Sequence, residues 1–162
     1  MNTSDNSFEE RNFKNKVDAA DEKFKARLEA RGVKYKKIGP DPKEDFVEDY
    51  WIIGLMYDLP DYIVWAEDGD IYFTEVKGTN KIKSLDYRKL ENMYKRSVSI
   101  NEYSKKKIHV GIAYIKNPTY NNKVVWVPFL ELKDKWKQKE YQEYKGETEL
   151  DGSPKYYKQL DL

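Results

Sequence analysis

Residues 59–78 read LPDYIVWAEDGDIYFTEVKG, two apolar arms around an acidic turn. The first arm, Asp61-Tyr62-Ile63-Val64-Trp65, and the second, Ile71-Tyr72-Phe73-Thr74-Glu75-Val76-Lys77, carry the aromatic and β-branched residues that favour strands. Glu67-Asp68-Gly69-Asp70 between them has the Asp-Gly signal of a hairpin turn. Strand side chains alternate faces, so Glu75 and Lys77 point the same way. Antiparallel pairing brings Asp61, at the start of the first arm, beside Glu75. Two carboxylates and an ammonium then converge at one edge of a sheet.

An acid-x-Lys tripeptide is common in a chain with 36% charged residues. It recurs at Asp21-Lys23, Asp41-Lys43, Glu131-Lys133 and Glu143-Lys145. Only Glu75-Val76-Lys77 ends an apolar strand preceded by a Pro-Asp hairpin arm, Pro60-Asp61, with thirteen residues between the two motifs.

Around the hairpin the chain divides into further elements. Ser7-Phe8-Glu9-Glu10 is a capping box, and the helix it opens runs to about Arg31, with Gly32 as its stop. Phe13, Val17, Ala20, Phe24 and Leu28 form its apolar stripe. Asp21 stands at the margin of that stripe, where a carboxylate is either solvated or compensated by a partner or a metal. Val33–Ile38 is a short strand, broken by Gly39-Pro40-Asp41-Pro42. Glu44–Met56 fits a short helix or an extended insertion, and its periodicity does not choose between them. Ser84 caps a second helix from Leu85 to about Ser97, with Leu85, Leu90 and Met93 inward. Ile108, Val110, Ile112 and Tyr114 alternate along another strand, and His109 lies on its other face beside Gly111 and Ala113, small residues that suit helix packing. A final strand, Lys123–Val127, ends at Pro128, which suits a sheet edge. A third helix, Phe129–Lys139, presents Phe129, Leu132 and Trp136. Residues 140–162 form a polar, Tyr- and Lys-rich tail, packed loosely on or extending from a single domain of residues 1–139.

Composition excludes several chemistries. The chain has 162 residues, no cysteine and one histidine, His109. That removes disulfides, thiolate zinc sites and multi-histidine centres, so any metal is held by oxygens, as Mg²⁺, Mn²⁺ and Ca²⁺ are. No apolar run approaches the ~18 residues of a membrane span, and the first residues lack the pattern of a signal peptide. A cytoplasmic protein is the expectation. The net charge of +1 argues neither for nor against nucleic acid, since a local basic face is sufficient.

Pro60-Asp61 followed by Glu75-Val76-Lys77 resembles the motif of the PD-(D/E)XK nuclease superfamily, and the element order of residues 7–127 resembles its restriction-endonuclease-like core. The resemblance implies an α/β (α+β) fold with an αβββαβ core, a central mixed sheet flanked by helices. It implies Mg²⁺, with Mn²⁺ as a substitute, bound by Asp61, Glu75 and the Val76 carbonyl, and Lys77 orienting the attacking water. Family members often add an acid from the first helix about ten residues before its terminal glycine. Asp21 and Glu22 both fit that spacing, and the stripe favours Asp21. Lys81, Lys83 and Arg88 are either a solvated face or phosphate contacts at the mouth of the site. The expected activity is hydrolysis of DNA phosphodiesters by an endonuclease. In size it is similar to Holliday junction resolvases of recombination and repair, and to phage or mobile-element endonucleases, which often act as homodimers. The alternative is a nucleic-acid-binding or regulatory protein that keeps the fold without cutting.

Overall fold

The computed structural model describes residues 19–38, 59–119 and 122–162. The capping box at Ser7, the stripe positions Phe13 and Val17, Pro40-Asp41 and the Glu44–Met56 segment lie outside these residues. The described chain is a mixed α/β fold, a five-stranded sheet flanked by three helices. Helix α1 spans residues 19–30 and is followed by β1 (Lys34–Lys37), β2 (Tyr62–Trp65), β3 (Ile71–Lys77) and a short β4 (Lys81–Lys83). Helix α2 (Ser84–Tyr103) leads into β5 (Ile108–Tyr114), β6 (Val125–Pro128) and α3 (Phe129–Gln138). None of these helices is long and apolar enough to cross a membrane.

The sheet order is β1-β2-β3-β5-β6. Among the described strands only β3 and β5 run parallel, because α2 carries the chain back across the sheet between them. The hairpin forms in the expected register, Tyr62 opposite Thr74 and Trp65 opposite Ile71. Its turn places Gly69 at φ 89°, a conformation that favours glycine, and Asp68 Oδ1 accepts from the Asp70 N–H at 2.8 Å. Pro128 closes β6 at the sheet edge, where a missing N–H costs no ladder bond.

Strand alternation sorts the side chains onto two faces. On one, Ala20, Phe24 and Leu28 of α1 are buried, and Phe24 and Leu28 pack with Tyr62, Val64 and Ala113. Gly32, at φ 63°, ends α1 as expected: its N–H bonds to Glu29 O, and the Val33 N–H to Leu28 O. On the other face α2 and α3 bury Leu90, Met93, Phe129, Leu132 and Trp136 against Ile108, Val110 and Ile112 of β5. Each such fully buried side chain contributes about 1.5–3 kcal/mol.

Three local expectations change, and a fourth residue, His109, has the structural role that a lone histidine most often has. Helix α2 continues past Ser97 to Tyr103, because Ser97 is buried and its hydroxyl donates to Tyr94 O at 2.7 Å, so it does not end the helix. Leu85 is 55% exposed, not inward, since the face that continues the Leu90 and Met93 stripe passes through Asp86 and Lys89. The space left by Gly111 is filled by the Trp126 indole, not by a helix: a Cβ there would lie 2.4 Å from Trp126 Cζ2. His109 beside it stacks on Tyr72 and hydrogen-bonds Asp70 Oδ2 at 2.8 Å, a structural arrangement.

The tail is built into the fold. A hairpin of β7 (Gln142–Thr148) and β8 (Pro154–Tyr157) is followed by β9 (Gln159–Asp161), which pairs antiparallel with β4. Leu160 and Ile82 join the α2-side core, and the Leu162 N–H donates to Asn80 O at 2.8 Å.

Candidate metal site at the open end of the hairpin

The β2–β3 ladder stops at Tyr62 and Thr74, one residue short of Asp61 and Glu75. Beyond it, side chains replace backbone partners. Glu75 Oε1 accepts from the Asp61 N–H at 3.1 Å, and Asp61 Oδ2 accepts from the Val76 N–H at 2.8 Å. A strand residue directs its N–H and C=O to the same side. The Val76 carbonyl therefore lies on the same edge as Asp61. Glu75 and Lys77 both face α2, as the alternation requires.

Helix α2 completes the cluster with two residues that the sequence did not single out for the site. Lys89 Nζ lies 2.8 Å from Glu75 Oε1, and Lys77 pairs with Asp86. Asp86 Oδ2 also accepts from the Lys83 N–H at 3.0 Å, so one carboxylate anchors both the first turn of α2 and the motif lysine. The available signal was spacing. Asp86 and Lys89 each stand four residues before a buried position, Leu90 and Met93, and so continue the core stripe of α2 toward its N-terminus.

Asp21 lies toward the α1 face of the sheet. Its Oδ2 accepts from Lys37 Nζ at 2.8 Å and its Oδ1 from the buried Tyr62 hydroxyl at 2.9 Å. Burial, then the charge of Asp21, pushes the Tyr62 hydroxyl above its usual range. Glu22 is exposed, so of the two helix acids Asp21 is the inward one. Lys81, Lys83 and Arg88 are exposed along β4 and the start of α2, beside Asp86.

Electrostatics mark the acid pair. Burial raises the Glu75 carboxyl, and the neighbouring Asp61 charge raises it further, to about 8, against the opposing pull of Lys89 and Lys77. Burial likewise raises Asp61, against Lys89 and the Val76 N–H. Adjacent buried carboxylates disfavour each other's ionisation, and a cation between them reverses that.

The residues present fit a hard divalent ion in part. Asp61 Oδ1 and Glu75 Oε2 have no hydrogen-bond partner among the described residues, and with the Val76 carbonyl they form an all-oxygen donor set. No group of three or more acidic or histidine side chains converges as a ligand set among the described residues. An ion here would keep several waters, as Mg²⁺ characteristically does. A separate cleft of about 790 Å³ opens on the α1 face beside Phe24, Arg27, Tyr72 and Trp126. Neither Asp61 nor Glu75 lines it.

Compared with protein-family models, curated proteins and solved structures, the chain has no match in any of the three.

Proposed function

We propose that this protein is a Mg²⁺-dependent nuclease of the PD-(D/E)XK type that hydrolyses DNA phosphodiester bonds. One observation carries the reading. Two largely buried carboxylates, Asp61 and Glu75, meet at the end of a hairpin with the Lys77 and Lys89 ammonium groups beside them. With the short β4 set aside, the order α1-β1-β2-β3-α2-β5, with β2 and β3 antiparallel and β3 and β5 parallel, supports the restriction-endonuclease-like form of the fold.

Asp61, Glu75 and the Val76 carbonyl would hold the ion. When bound, Mg²⁺ supplies a water of lowered pKa and Lewis acidity toward a phosphoryl oxygen. Lys89 favours the ionised form of Glu75 and orients its carboxylate. Lys77, anchored by Asp86, holds an ammonium at the strand end, where it orients the attacking water and balances charge that develops on the phosphate. Exposed Lys81, Lys83 and Arg88 would receive flanking phosphates.

The decisive experiment is cleavage of labelled single-stranded, duplex and branched DNA, and of RNA, in Mg²⁺, Mn²⁺ or EDTA. Metal-dependent cutting by the wild type that is lost in Glu75→Gln is the expected result. Binding without cutting under every condition would replace the nuclease with a non-catalytic nucleic-acid binder.

A further inference from the structure

Among the described residues, the face of the sheet that carries Asp61 and Glu75 is unevenly covered. Helix α2 packs on β5, and α3 on β5 and β6. Toward the opposite edge, on the same face, the register sets Lys34 of β1 beside Trp65 of β2, and Lys36 beside Ile63. Lys34 and Lys36 are exposed, while Ile63 and Trp65 are half-buried. Lys34 Nζ stands over the Trp65 ring, 5.3 Å from its centroid. Trp65 and Ile63 of β2 and Asp61 just before it follow one another at alternate positions, so among the described residues this surface leads into the acid pair. At about 3.3 Å per residue, Trp65 lies about 13 Å from Asp61 along the strand.

We infer that the β1–β2 half of this face is a platform for an unpaired nucleic-acid strand, with Trp65 stacking a base and Lys34 and Lys36 holding phosphates. The chemistry is specific in three respects. A half-buried indole on a sheet offers a flat apolar surface with little conformational freedom to lose, the feature that single-strand binders use for bases of any sequence. Two lysines on an edge strand, two residues apart, point the same way and match the repeated charge of a backbone. The Lys34 ammonium already over Trp65 exchanges the ring for a phosphate when a base takes its place. Duplex DNA keeps its base faces stacked and has none to offer the indole, so the platform selects single-stranded or frayed substrate. The inference rests on the nuclease reading only for where the strand leads, since platform binding requires no cutting.

The test is binding of labelled oligothymidylate, oligouridylate and a duplex in EDTA across a range of salt, with cleavage in Mg²⁺ measured separately. Trp65→Ala is expected to weaken single-strand binding about tenfold, with Trp65→Phe recovering part of the loss. Lys34→Gln with Lys36→Gln alters only exposed side chains and so keeps the fold. It is expected to make the slope of log affinity against log salt shallower by about 1.4, two contacts at about 0.7 each. Wild-type affinity and slope in both variants would overturn the platform even if the protein cuts DNA. Duplex binding that equals single-strand binding and ignores Trp65 would overturn it as well. Weakened binding in the variants of a protein that cuts nothing would sustain the platform and remove the nuclease.

Discussion

Lys89 of α2 and Glu75 of β3 meet at 2.8 Å, tying a helix to the central strand through the carboxylate that the motif places in the site. Both side chains are largely withdrawn from solvent, at 27% and 12% exposure. A low-dielectric contact of this kind acts on the protonation of Glu75 far more than a surface ion pair does.

Replacing Lys89 with Met removes the nearest positive charge and retains the bulk of the stem. Glu75 then holds its proton to higher pH, because Lys89 is the strongest of the influences opposing burial and the Asp61 charge. The acid limb of the pH–cleavage profile is expected to move upward in Lys89→Met, with lower activity at neutral pH that partly returns at alkaline pH. A profile of unchanged shape would show that Lys89 does not control Glu75.

Stability without metal is expected to fall as pH rises from about 4.5 to about 8. Glu75 in the folded chain sits near 8, above its ordinary value of 4.5, so across this window the folded state binds a proton that the unfolded state has released. Stability is present at the acid end and lost toward the alkaline end. Glu75→Gln should flatten the decline, and saturating Mg²⁺ should shrink it by favouring the ionised pair. Thermal midpoints against pH in EDTA and in Mg²⁺ check both, and a decline just as steep in Glu75→Gln would assign it to other groups.

Asp21→Asn separates two roles for the helix acid. Its carboxylate receives Lys37 and the Tyr62 hydroxyl, charge-assisted bonds whose loss in a partly exposed setting costs about 1–2 kcal/mol. The expected variant has lower stability with cleavage reduced much less than in Glu75→Gln. Complete loss of cleavage at unchanged stability would instead make Asp21 a ligand.

Leu160→Ala should destabilise the fold by about 2–4 kcal/mol. Leu160 is buried against Ile82 on the β4–β9 pair, and β4 runs directly into the turn of α2 that holds Asp86 and Lys89. Chemical denaturation measures the loss. Because α2 positions both lysines, cleavage is expected to decline as well, although Leu160 touches no site residue.

The hairpin, its turn and the pairing of Asp61 with Glu75 were legible in the sequence because each depends on near neighbours. Strand alternation and the conformational freedom of Gly69 act over a few residues, and the apolar arms specify their register by which face must be buried. The inward stripe of Phe24 and Leu28, the Gly32 stop and the edge position of Pro128 follow from equally local causes.

What only the tertiary structure decided involves residues whose chemistry is satisfied across the chain. Nothing in the sequence around Lys89 and Asp86 names Glu75 and Lys77 as their partners. Asp21 is committed to Tyr62, 41 residues away, by the meeting of α1 with β2. The final strand counted as a polar tail until Leu160 met Ile82. A charged side chain carries no periodic burial signal of its own, and its partner is set by which elements pack together. In this protein the sequence alone determined the acid pair, and the packing of α2 over the sheet decided which lysines attend it.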